Sequence, residues 1–184
     1  MQFDRHGWAI STIDALPVNA AYTLFSADPS ARIDIALCAH KARQFFATGF
    51  ELGQAKAYPD GQTPDSDAAY VDVSPLGKRS SAVTRVFVVT WPIERDHLIR
   101  NVGDAAARTI GGAGMDVLVA RAKRIWQVSN ELTSGDDRNA PLRVAAILAS
   151  VLLAPIVPPE GNTIYGVKGA RERLEAAETS VRPK

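Results

Sequence analysis

Residues 82–114, AVTRVFVVTWPIERDHLIRNVGDAAARTIGGAG, decide how this chain is read. Val83 to Trp91 is the most apolar short run in the first half, and Val86-Phe87-Val88-Val89 is continuous rather than alternating. Such a run fits an interior strand covered on both faces. Pro92 ends it, because proline has no N–H to give to a ladder. From Ile93 to Ile110, Leu98, Val102, Ala105, Ala106 and Thr109 recur at helical spacing, and Gly111 is a natural stop. The stretch predicts a central strand that feeds a helix.

Directly after that strand come Glu94, Arg95, Asp96 and His97. Ligand sites in open sheets favour the carboxyl ends of strands. His97 has the right chemistry for a general base, and Glu94, three residues earlier, shares its face if the helix is continuous. Asp96 points about 100° away from His97 on a helix. Glu94 and His97 are therefore the candidate catalytic pair, with Trp91, Arg95 and Asp96 as candidate binding residues. His6 and Trp8 are candidates to line the same edge, which suits a small planar ligand. The competing account is a solvated first helical turn whose acids favour the positive end of the dipole, with the tryptophans finishing the core.

Two other constellations carry less. Asp34, Cys38 and His40 sit close in sequence, but on a helix residues two apart cannot reach each other for a Cys-His pair; Cys38 reads as a small buried hydrophobe. Gly111-Gly112-Ala113-Gly114 lacks phosphate-loop spacing and follows a helix rather than a strand, so it reads as an interhelical turn. No Cys/His spacing matches a metal site, and nothing in the sequence specifies a cofactor.

Working outward toward the N-terminus, Ala69–Val73 predicts a short strand. Ser74 to Arg79 predicts a turn, and residues 58–67 (YPDGQTPDSD) an exposed loop. Asp28-Pro29-Ser30 reads as a helix start, giving a helix from about Pro29 to Ala57 with Gly49 and Gly53 on one packed side. Ala20–Phe25 and Trp8–Ile13 predict two more strands, separated by a turn at Pro17. Toward the C-terminus, Met115–Leu132 fits an amphipathic helix, with a strand at Asp116–Ala120 as the alternative that would complete a β-α-β unit. Asn139 and Pro141 open an apolar core helix through Ala154. Pro155, Pro158 and Pro159 follow it, and Val167–Ser180 predicts a final amphipathic helix.

The 184 residues carry a formal net charge of +1, with 46% hydrophobic and 22% charged residues. That length suits one compact domain over residues 1–184, with 160–184 as a C-terminal helical appendage. Near-neutral charge supplies no field to recruit nucleic acid or an anionic membrane, and Arg121, Lys123 and Arg124 alone are a weak nucleic-acid footprint. The longest apolar run, Val144 to Val157, contains Pro155 and falls short of the roughly 20 residues a span needs. The N-terminus lacks a signal-peptide pattern and the single cysteine suits a reducing compartment, so a cytoplasmic protein is expected.

These readings combine into an α+β or α/β architecture: a mixed sheet of about three to five short strands with about five helices, the C-terminal half mainly helical. Two classes of function fit. One is a small-molecule binding protein or enzyme with its site just after the central strand. The other is a structural or assembly subunit acting through a homo-oligomeric or partner interface.

Overall fold

The structure, a computed structural model, describes residues 14–31, 33–53, 68–76, 82–95, 97–109 and 114–180. The expected strand at Trp8–Ile13 and the loop at 58–67 lie outside these residues, as do most of the Gly-rich turn and the end of the turn at Ser74–Arg79. Among the described residues the class is α+β: a six-stranded antiparallel sheet in the order β2-β3-β4-β5-β1-β6, with five α-helices. One strand more than the upper expectation is present, every pairing is antiparallel where a mixed sheet was expected, and the β-α-β alternative falls because Asp116–Ala120 lies in a helix rather than a strand.

β4 (Thr84–Pro92) lies between β3 (Ala68–Pro75) and β5 (Arg124–Ser134), in the interior of the sheet as its composition requires. Its side chains divide cleanly. Val86 and Val88 join Leu24, Val71 and Trp126 against α1 (Ile35–Phe46), α4 (Ala140–Leu152) and α5 (Val167–Ser180). Phe87, Val89 and Trp91 join Phe25 and Ile125 against α2 (His97–Ala107) and α3 (Met115–Ala120). The first is the α4 face and the second the α2 face. β1 (Ala21–Ser26) pairs with β5 on one side and with the short β6 (Ile156–Val157) on the other.

Two helix expectations are corrected. The helix predicted from Pro29 to Ala57 begins at Ile35, capped by Asp34, whose carboxylate accepts the Leu37 N–H at 2.9 Å. Asp28 instead closes a local turn, accepting from the N–H and the hydroxyl of Ser30. The helix ends at Ala47, which takes a left-handed conformation (φ 47°), and the chain turns into β2 (Thr48–Leu52). Gly49 and Gly53 are therefore not on a helix. A Cβ at Gly49 would stand 2.7 Å from Ser74 Oγ, its cross-strand partner, and one at Gly53 would stand 2.8 Å from Arg85 Nε. The close approach that the glycines require is made by a neighbouring strand and an ion pair.

The second correction concerns Met115–Leu132. Only Met115–Ala120 is helical, and from Arg124 the chain is β5. Ile125 and Trp126 fit a helical stripe by spacing, but in the fold they point to opposite faces of the sheet, one in each core cluster. A segment with β4 on one side and β1 on the other gains two ladders, and that overrides a periodicity match. β5 also carries an irregularity: Val86 pairs with Thr133 but Val88 with Val128. Ser129 Oγ supports the extra residues by accepting the N–H groups of Glu131 and Leu132.

Among the described residues no helix is long and apolar enough to cross a membrane.

Candidate functional site

The end of β4 is where the sequence directs attention, and its geometry is set by Pro92. The next residue, Ile93, donates its N–H to the carbonyl of Lys123 at 3.0 Å, tying the strand end to the connection before β5. Lys123 in turn donates to Ser26 at the end of β1. Three strand termini are thus held together at one rim. Residues Ile93–Arg95 form a 3₁₀ turn and α2 starts at His97, so the single helix expected from Ile93 is divided in two. Arg100 on α2 donates to the carbonyls of Ala120 and Ala122, fixing α2 against the end of α3.

Trp91, Glu94, Arg95 and His97 fall within the described residues. Trp91 is the penultimate residue of β4, buried on the α2 face at 1% exposure. Its indole Nε1–H is buried and finds no acceptor among the described residues. Glu94 is exposed on the 3₁₀ turn. Arg95 closes that turn and His97 opens α2, while Asp96 lies outside the described residues. Because Glu94 and His97 belong to different elements, helical spacing no longer puts them on one face. The structure brings Trp91, Glu94, Arg95 and His97 to one strand end through the chain itself; His6 and Trp8 fall outside the described residues.

Sequence reasoning missed a polar group at the same rim on the α4 face. Arg124, paired with Pro92 across the ladder, is only 5% exposed. Its Nε donates to Thr90 Oγ1 at 2.8 Å, and Thr90 donates to the Ile125 carbonyl at 2.7 Å. Nη1 donates to the Pro29 carbonyl at 3.4 Å. The Asp28 carboxyl is held below its usual range, mainly by the Ser30 N–H and hydroxyl and to a smaller extent by the Arg124 charge. The clue in the sequence was an arginine inside an apolar run, RIWQV, but reading that run as a helix put it on a solvated side.

Cys38 is buried on α1, and burial, with the Asp34 carboxylate adding to it, pushes its thiol up to about 12. A thiol so far from ionising is a poor nucleophile, and His40 on the same helix is exposed.

A cavity of about 290 Å³ lies on the α4 face between the end of α1, the start of α4 and α5. Arg43, Arg143, Arg171, Glu175 and Glu178 face it over a floor that includes Phe46 and Leu174. Arg143 bonds Asp137 and Glu178, each at 3.3 Å, and Arg171 stands 3.8 Å from Glu175. Two of the three guanidiniums are thus already matched by carboxylates. Neither Trp91 nor Glu94 lines this cavity. Its helices are far apart in sequence, so no local pattern could announce it. Among the described residues no cluster of three His, Cys, Asp or Glu side chains is placed to hold a metal.

Comparison with family models, curated proteins and solved structures returns no match.

Proposed function

We propose that the chain is a small-molecule binding protein whose ligand docks at the β4 end, with Trp91, Glu94, Arg95, Asp96 and His97 as its contacts. The observation that carries this reading is the buried indole donor of Trp91, unmatched among the described residues and three residues before an exposed carboxylate. A buried N–H without an acceptor costs about 1–3 kcal/mol, which a ligand acceptor would recover. Trp126 shares the same defect, but inside the helix-covered core on the α4 face; position at the rim, next to titratable groups, distinguishes Trp91. An aromatic plane, a carboxylate, a guanidinium and an imidazole suit a small planar ligand with both donor and acceptor edges.

A panel of planar heteroaromatic amides and acids, screened by the indole N–H signals in a two-dimensional nitrogen-proton spectrum, tests the reading. Binding should move the Trp91 signal and leave Trp126 in place. His97→Ala should abolish that shift with an unchanged melting temperature. A panel that leaves Trp91 unmoved, or shifts that survive His97→Ala and Glu94→Gln together, contradicts the assignment.

A second reading, an assembly subunit, is favoured by one observation. Leu98 on α2 and Val117 and Leu118 on α3 are 74%, 47% and 38% exposed, on two helices packed against each other. Grouped apolar exposure is a feature of interaction surfaces. Light scattering after size exclusion discriminates the two: an oligomer that Leu118→Lys dissociates supports assembly, and a monomer counts against it.

A further inference from the structure

Gln127 stands in the middle of β5, opposite Thr23 on β1 and Val89 on β4, and is fully buried. A primary amide survives in such a place only when its groups are matched. The main partner lies outside the sheet. The Leu16 N–H donates to Gln127 Oε1 at 2.7 Å, and Gln127 Nε2 donates to the Leu16 carbonyl at 2.9 Å. A longer contact of 3.5 Å runs from Nε2 to Thr23 Oγ1. One side chain therefore exchanges both bonds with one residue, as a neighbouring antiparallel strand would. The Leu16 side chain packs on the cluster that contains Trp91, Ile125 and Phe25. Asp14, Ala15 and Pro17 around it are exposed.

We propose that Gln127 is the latch of a strap formed by residues 14–17, and that releasing this strap opens the α2 face beside Trp91 to ligand. Trp91 pairs with Ile125 and Val89 with Gln127, so the indole and the latch stand one step apart on the same face. Release breaks two hydrogen bonds and one apolar contact and leaves the ladders joining β1, β5 and β4 intact. The gating role rests on the ligand reading above; the latch itself does not.

The test uses no ligand, so a failed latch and a failed ligand assignment remain distinguishable. In the full-length protein, Gln127→Leu removes both bonds, and hydrogen exchange is followed at the Leu16 amide and at the indole N–H of Trp91 and Trp126. Leu16 and Trp91 should each exchange about tenfold faster, the scale set by losing a hydrogen bond in a local opening. Trp126, on the other face, should keep its rate. An unchanged Leu16 overturns the latch, and a faster Leu16 with an unchanged Trp91 overturns the gate. Acceleration at both indoles overturns the strap as a separately moving unit. Leu16→Pro deletes the donor from outside the sheet and, having no amide of its own at that position, must give the same split between the indoles, Trp91 faster and Trp126 unchanged, which keeps the proposal testable if the Gln127 variant does not fold.

Discussion

On one side of the sheet, α4 buries residues Ala140–Leu142 and Val144–Ala149 and packs against α1, α5 and the strands β1, β3, β4, β5 and β6. On the other, α3 buries Val119 alone, and α2 and α3 leave Leu98, Val117 and Leu118 exposed. Both faces hold polar groups: the amide of Gln127, the Trp91 indole and the Arg85–Asp72 ion pair beside Gly53 on the α2 face, and Arg124, Thr90 and the Trp126 indole on the α4 face, neither indole having an acceptor among the described residues. Burial of apolar area is the main stabilising term in folding, so the α4 face fixes the sheet. The α2 face, with fewer buried apolar side chains, is the one expected to open more readily.

The contrast predicts unequal responses to truncation. Ile147→Ala on α4 should cost about 2–5 kcal/mol, read as a shifted denaturation midpoint for the whole chain. Val119→Ala on α3 should cost about 1–2 kcal/mol, the transfer energy of two methyl groups. Equal costs would break the comparison.

Cys38 sharpens it through pH. The buried thiol stays protonated in the folded chain until about 12, whereas the unfolded thiol ionises from about 9. The folded state thus holds the extra proton between those values, and stability falls as pH rises through that window, by at most about 1.4 kcal/mol per pH unit. Below 9 the thiol contributes no pH dependence. Urea denaturation at pH 8 and pH 10 should show a steeper loss for the native sequence than for Cys38→Ala, and identical slopes would contradict burial of Cys38 under the helices.

The smallest effect belongs to the α2 face. Arg85 donates through Nε and Nη2 to the two oxygens of Asp72, both at 2.7 Å, with the arginine 35% exposed. This bond holds the guanidinium above its ordinary pKa. Partial exposure limits the coupling in a double-mutant cycle of Arg85→Gln and Asp72→Asn to about 0.5–1 kcal/mol, reduced by salt. A coupling above that range, insensitive to salt, would mean this face is as dry as the other.

Much of this layout is legible in the sequence where one period has no rival. The continuous Val86–Val89 run gave an interior strand, and the apolar residues from Leu142 gave the core helix. Reading failed where two periods coincide, as at Ile125-Trp126, and where a non-glycine residue turns the chain, as at Ala47. The end of β4 was legible as a place, since Pro92 fixes where the strand stops. Its buried parts were not: Arg124 reaches Pro29 and Gln127 reaches Leu16, across 95 and 111 residues. Pairings at that separation leave no local signature.

Native-state hydrogen exchange in low denaturant tests most directly the claim that the two faces open independently. The account predicts that amides of α2 and α3 exchange through a local opening insensitive to denaturant, while those of α4 exchange only through global unfolding. Amides of α2 that follow the same denaturant dependence as those of α4 would contradict it.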